Sequence, residues 1–115
     1  MKIALGIKGS SVNKAHFGMS EKYRIYELEN GLLNFIEERI NDNFTQHKHS
    51  EVEDIMEILS DCNVWVAKSM GKKSKEVIMK LGYTPLIINS DSIQEAEKEI
   101  VKALNHQSFL KLQSK

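Results

Sequence analysis

His16 is the residue of this chain best placed to do chemistry. It lies in the stretch Lys8-Gly9-Ser10-Ser11-Val12-Asn13-Lys14-Ala15-His16-Phe17-Gly18-Met19-Ser20. An imidazole can ligate a metal, donate a hydrogen bond or take a proton near neutral pH. The stretch follows an apolar run, Ile3-Ala4-Leu5-Gly6-Ile7, and its two glycines let backbone approach a ligand closely. Ser10, Phe17, Gly18 and Met19 are the further candidate contacts within it. A histidine of this kind also serves as a half-buried structural hydrogen-bonding group. Its place in a glycine-flanked loop at the carboxyl end of a strand favours function.

The other candidates carry weaker signals. His47 and His49 sit in the polar stretch Asn41 to Ser50. Their spacing puts both imidazoles on one side only if the segment is extended. As metal ligands they lack supporting ligands nearby, which favours solvated histidines. Met19 and Met70 are soft thioethers able to face a metal cluster, or gap-filling core residues. Gly71 followed by Lys72 and Lys73, ahead of a helix, resembles an anion-binding turn without a phosphate-loop motif. Cys62 reads most simply as a small buried residue.

Whole-chain properties narrow the function. At 115 residues the chain is one domain with room for its own core. Sixteen basic and sixteen acidic residues give zero formal net charge, which argues against nucleic-acid binding driven by bulk charge. The single cysteine excludes an internal disulfide and a cysteine-only metal site within one chain, and fits a reducing, cytoplasmic compartment. Met1-Lys2-Ile3 leads straight into a strand, so no signal peptide is expected, and no apolar run approaches membrane-spanning length.

The positioning elements follow from periodicity and turn chemistry. Lys2 to Ile7 reads as a first strand buried on both faces. Tyr23 to Glu29, rich in aromatic and β-branched residues, is the second. Asn30-Gly31 is a strong hairpin signal and makes Leu32 to Ile40 the third, antiparallel to the second. Val52, Ile55, Met56 and Leu59 mark a first helix. Val64 to Ala67 is the fourth strand, Ser74 to Leu81 a second helix, and Pro85 to Ile88 the fifth strand. Ser92 and Glu95 form a capping box for a third helix running to about Leu104. Right-handed crossovers favour an α/β fold with a five-stranded mixed sheet, order 3-2-1-4-5, strand 2 antiparallel, and helices on both faces. Residues 1–105 form the domain and 106–115 a C-terminal extension that packs back or covers a second subunit as a homodimer. This topology gathers His16, Met19 and Met70, with the His47/His49 segment, at one rim of the sheet. It sends Cys62 to the opposite end.

The first strand, the His16-Phe17-Gly18 triplet, the Asn30-Gly31 hairpin and Asp61-Cys62-Asn63-Val64-Trp65-Val66-Ala67 also carry a resemblance. So do Gly71 before a helix ending Leu81-Gly82 and the later Glu95-Ala96 helix. Over Met1 to Leu104 the chain resembles the dinitrogenase iron–molybdenum cofactor biosynthesis family, the small domain shared by NifX, NafY and the C-terminal part of NifB. The resemblance implies a ribonuclease H-like three-layer α/β/α fold. It implies a protein that is not an enzyme and that binds or carries an iron–sulfur or iron–molybdenum-type cluster between donor and acceptor proteins. It matches the histidine implicated in cluster binding to His16, and loosely matches a histidine segment to His47 and His49. Where many relatives have a glycine-rich turn after the fourth strand, this chain has Lys68-Ser69-Met70-Gly71-Lys72-Lys73. That rim is bulkier and more basic, and suits an anionic cluster or the carboxylates of an organic ligand.

Two other function classes compete. A phosphate-processing enzyme needs carboxylates converging on paired metal ions, but the first strand has no Asp or Glu and ends at Lys8. Glu27 and Glu29 fall low on the second strand, far from the rim. A regulatory or protein-interaction module would use the C-terminal segment as its contact.

Overall fold

The computed structural model describes residues 1–45 and 52–113, and the side chains discussed are those of residues 1–43 and 52–105. A mixed six-stranded sheet organises them. Its strands are β1 (Lys2–Lys8), β2 (Ser11–Val12), β3 (Lys22–Glu29), β4 (Leu32–Ile40), β5 (Val64–Ala67) and β6 (Thr84–Ile87). The hydrogen-bonded path runs β4-β3-β1-β5-β6, and β2 pairs with β1 off this path. β5 and β6 run parallel to β1, whereas β3 is antiparallel to both β1 and β4.

The helices are α1 (Asp42–Thr45), α2 (Val52–Leu59), α3 (Lys72–Lys80) and α4 (Ile93–Gln113). α4 continues past Leu104 without a break. No helix among the described residues is long and apolar enough to cross a membrane.

The expected five-stranded sheet is corrected to six strands by β2. The stretch from Lys8 to Ser20 is not one loop. Gly9 and Ser10 form a two-residue turn, and Gly9 takes a φ of +65° there. Glycine takes a positive φ in such a turn without the strain a Cβ brings. Ser11 and Val12 then fold back onto Lys8 and Ile7. Asn30 (φ 53°) and Gly31 (φ 79°) make the second hairpin, between β3 and β4.

β1 is buried on both faces because it is the middle strand. Ile3, Leu5 and Ile7 face Ala96, Ile100 and Leu104 of α4. Ala4 belongs to the other core, with Ile55 and Leu59 of α2 and Ile78 of α3. The period-2 alternation of a strand thus serves two separate apolar cores.

α4 starts where its capping residue directs. The Glu95 N–H donates to Ser92 Oγ at 3.1 Å. Ser92→Ala removes that acceptor and is expected to cost about 1 kcal/mol. A lowered midpoint in urea denaturation checks it, and an unchanged midpoint would show that the helix starts elsewhere.

Candidate functional site

The backbone turns sharply after β2 so that residues 16–19 reach the end of β5. His16 forms a parallel bridge with Ser69, and the Phe17 N–H donates to the Ser69 carbonyl at 3.1 Å. Phe17–Met19 is a single 3₁₀ turn, closed by the Met19 N–H on the His16 carbonyl at 2.8 Å. This turn is short, and short 3₁₀ pieces have little stability of their own. Its shape comes from the side chains beneath it.

Among the described residues, three polar side chains are buried: Asn13, Ser20 and Asn41. All three hold this turn. Asn13 Nδ2 donates to the His16 carbonyl at 3.0 Å and to Ser20 Oγ at 3.1 Å. Asn13 Oδ1 accepts from the Ala15 N–H at 3.1 Å, a local Asx turn. Asn41 Nδ2 donates to the carbonyls of Gly18 (3.2 Å) and Ser20 (2.8 Å). The Tyr23 hydroxyl donates to the Phe17 carbonyl at 2.9 Å. Burial holds the Tyr23 proton well above the usual phenol range, so the ring stays a neutral donor. Buried polar groups are costly unless paired, and here each pairing fixes the path of the His16 backbone.

An aromatic row anchors the same turn from below. Phe17 stacks on Trp65 at 5.7 Å between centroids and tilts against Tyr23 at 4.8 Å. Trp65 in turn stacks on Tyr83 at 4.6 Å. Phe17 is 3 % exposed, while the neighbouring His16 is exposed. The fold thus buries one side chain of the triplet to present the other.

His16, Phe17, Gly18, Met70 and Gly71 line one pocket, together with Val52 and Ile55 of α2 and Ser74 and Ile78 of α3. Its enclosed volume is about 20 Å³, room for about one water molecule. A larger ligand would rest on the mouth. A Cβ added at Gly71 would meet His16 Cε1 at 3.8 Å, so the imidazole lies against the start of α3.

The remaining candidates are placed as follows. Ser10 is at the tip of the β1–β2 turn, outside the pocket lining. Met19 is exposed on the 3₁₀ turn and does not line the pocket. His47 and His49 lie outside the described residues. Cys62 precedes β5, whereas His16 bridges beyond its other end, so the two sit at opposite ends of the sheet. The Cys62 thiol is fully buried, and burial, helped by the adjacent Asp61 carboxylate, pushes its pKa up to about 12. A thiol held protonated is a poor metal ligand.

Lys68 is tied to Asp91 in an ion pair, so its charge is locally balanced. Lys72 and Lys73 are exposed in the first turn of α3, which carries no acidic residue and no side-chain cap. Sequence reasoning missed Asn13, Ser20, Tyr23 and Asn41. Asn13 carried a local signal, an Asx residue two positions before Ala15. Asn41 carried the same kind of signal, two positions before Asn43, but its partners in the turn lie 21 and 23 residues away.

A family model described as dinitrogenase iron–molybdenum cofactor matches residues 1–103. The chain is 29% identical over 104 residues to the FeMo cofactor biosynthesis protein NifB of Frankia alni, covering 85% of this chain. It spans 20% of the length of that relative. The PH0822 protein has a similar structure, with TM-score 0.72 and 16% identity, over 90% of this chain and 92% of that one. So does a Methanocaldococcus jannaschii protein solved as a dinitrogenase candidate, with TM-score 0.65 and 10% identity, over 90% and 89%. A Thermotoga protein solved as a NifB candidate aligns at TM-score 0.59 and 19% identity, over 88% and 87%. With the match spanning all but the last twelve residues, the chain belongs to the dinitrogenase iron–molybdenum cofactor family.

Proposed function

We propose that this chain is a non-catalytic cytoplasmic carrier that holds an iron–sulfur or iron–molybdenum-type cluster between a donor and an acceptor protein. One observation carries the reading: His16 is exposed at the pocket mouth on a turn held rigid by buried Asn13, Ser20 and Asn41. Such construction presents a ligand atom rather than filling space. Family membership supplies the class of cargo. The ribonuclease H-like reading of the fold belongs to the same proposal, supported by a mixed sheet with cores on both faces.

The chemistry suits reversible holding. A single imidazole with the Met70 thioether beside it makes few bonds to release. Lys72 and Lys73 crowd positive charge where the helix dipole is already positive, which is unfavourable by about 0.3–1 kcal/mol for each exposed charge. An anionic cargo on the adjoining mouth relieves that repulsion. His47 and His49 remain candidates, since Val52, three residues beyond His49, lines the pocket.

The test is anaerobic titration with a synthetic thiolate-capped iron–sulfur cluster, followed by absorbance. His16→Ala is expected to lose at least about tenfold in affinity, or 1.4 kcal/mol, with an unchanged circular dichroism spectrum. His47→Ala and His49→Ala are expected to lose less, and Cys62→Ser to bind as wild type does. Equal affinity of folded His16→Ala and wild type would overturn the assignment and favour a regulatory or protein-interaction module.

A further inference from the structure

The two edges of the sheet are built differently. β6 has four residues and contains Pro85, and short edge strands with proline resist pairing with other chains. β4 has nine residues and no proline, and one side of its backbone is paired with β3, regularly from Leu32 to Phe35 and with a bulge at Ile36, between the Phe35 and Glu37 pairs. Leu32 is 66 % exposed, Phe35 49 % and Ile36 43 %. A long edge strand with exposed apolar side chains is a template for another strand. The charges of β4 are confined to its second half and are engaged within the chain. Arg39 pairs with Asp61 and Glu37, and Glu38 with Lys22 and Arg24.

The uncharged half, Leu32-Leu33-Asn34-Phe35-Ile36, is close to self-complementary when read antiparallel to itself. A two-fold axis through Asn34, perpendicular to the sheet, sets Leu33 of each copy opposite Phe35 of the other. It sets Leu32 opposite Ile36 and Asn34 opposite Asn34. Every apolar residue meets an apolar one, and the two amides meet on the axis. A two-residue slip breaks this match: one direction puts Leu33 against Glu37, the other puts Asn34 against Leu32. Register is thus specified by the sequence, as it must be for one defined pairing.

The neighbouring surface fits the same occupant. An open groove of about 560 Å³ runs between the start of β4 and α4, lined in part by Leu32, Leu33, Val101 and Lys102. Phe35 of the second copy, opposite Leu33, reaches the mouth of this groove.

We propose that two copies of this chain join through β4 into one continuous sheet, antiparallel about Asn34, with both α4 helices on the same side. The inference is independent of the cluster reading. Sedimentation equilibrium of the full chain at micromolar concentration is expected to give twice the 13.2 kDa chain mass. The Leu32→Lys/Ile36→Lys variant is expected to stay folded, because both side chains are exposed, and to sediment at half the wild-type mass. Asn34→Cys is expected to form an intermolecular disulfide under mild oxidation. Directly opposed Cα atoms in an antiparallel pair are about 4.5 or 5.5 Å apart, within disulfide range. Cys62 is buried and does not compete. A monomeric wild type, a lysine variant that stays dimeric, or a dimer that Asn34→Cys fails to cross-link would each overturn the proposal.

Discussion

Gly6→Val is expected to lower stability by about 3 kcal/mol and to disorganise the cluster site at the same time. Gly6 lies within β1, in its run of five consecutive buried residues. A Cβ there would overlap Ser20 Oγ at a separation no real Cβ contact shows, and would press Phe17 Cδ1 at 3.3 Å. Ser20 cannot simply swing away. Its hydroxyl accepts from Asn13, and its carbonyl accepts from Asn41. Phe17 is wedged between Trp65 and Tyr23. Relief therefore comes from displacing the 3₁₀ turn, and His16 moves with it. The measurement is the urea midpoint, which falls by about 1 M or more if the urea slope is 1–3 kcal/mol per M. A midpoint within error of wild type would mean that the turn slides aside at no cost and that His16 is not rigidly held. Gly6→Ala makes the same overlap with less bulk and is expected to fall between.

Much of this architecture was legible because it rests on local rules. The buried run of β1, the Asn30-Gly31 hairpin and the Ser92 cap each declare themselves within a few residues. The pocket face formed by His16, Phe17, Gly18, Met70 and Gly71 was legible as well, since it needs only that β1 and β5 end at the same rim. What escaped notice depends on pairings between distant parts of the chain. β2 is two residues long, below the length at which alternation is visible, and its one clue was Gly9 at the turn. Ser10 read as a loop contact, but the hairpin carries it to a tip away from the pocket. The polar scaffold was hidden for the same reason. Asn41 follows a strand and looks like an ordinary loop residue until the β3–β4 hairpin brings it back beneath Gly18. Lys68 counted toward a basic rim because Asp91, its partner, lies 23 residues on.

Asn41→Ala is expected to cost about 3 kcal/mol, since two buried carbonyls, those of Gly18 and Ser20, lose their donor and each unsatisfied group costs 1–3 kcal/mol. The loss of the Asn43 N–H contact with Asn41 Oδ1 adds to it. Asn41 is not itself among the residues that line the pocket with His16. The substitution nevertheless frees the turn that carries them, so cluster affinity is expected to fall along with the denaturation midpoint. Asn13→Ala acts on the same turn from the other side, through the His16 carbonyl and Ser20 Oγ. Because both asparagines converge on Ser20, their effects are not independent. Once either is removed, the turn is already loosened and the second has less order left to maintain. The double variant is therefore expected to fall short of the summed single losses by about 1 kcal/mol, in the range for residues within one hydrogen-bond network. A double-mutant cycle on urea midpoints measures this coupling. Strict additivity would show that the two asparagines hold separate segments. It would remove the physical reason for treating the His16 turn as a preorganised ligand.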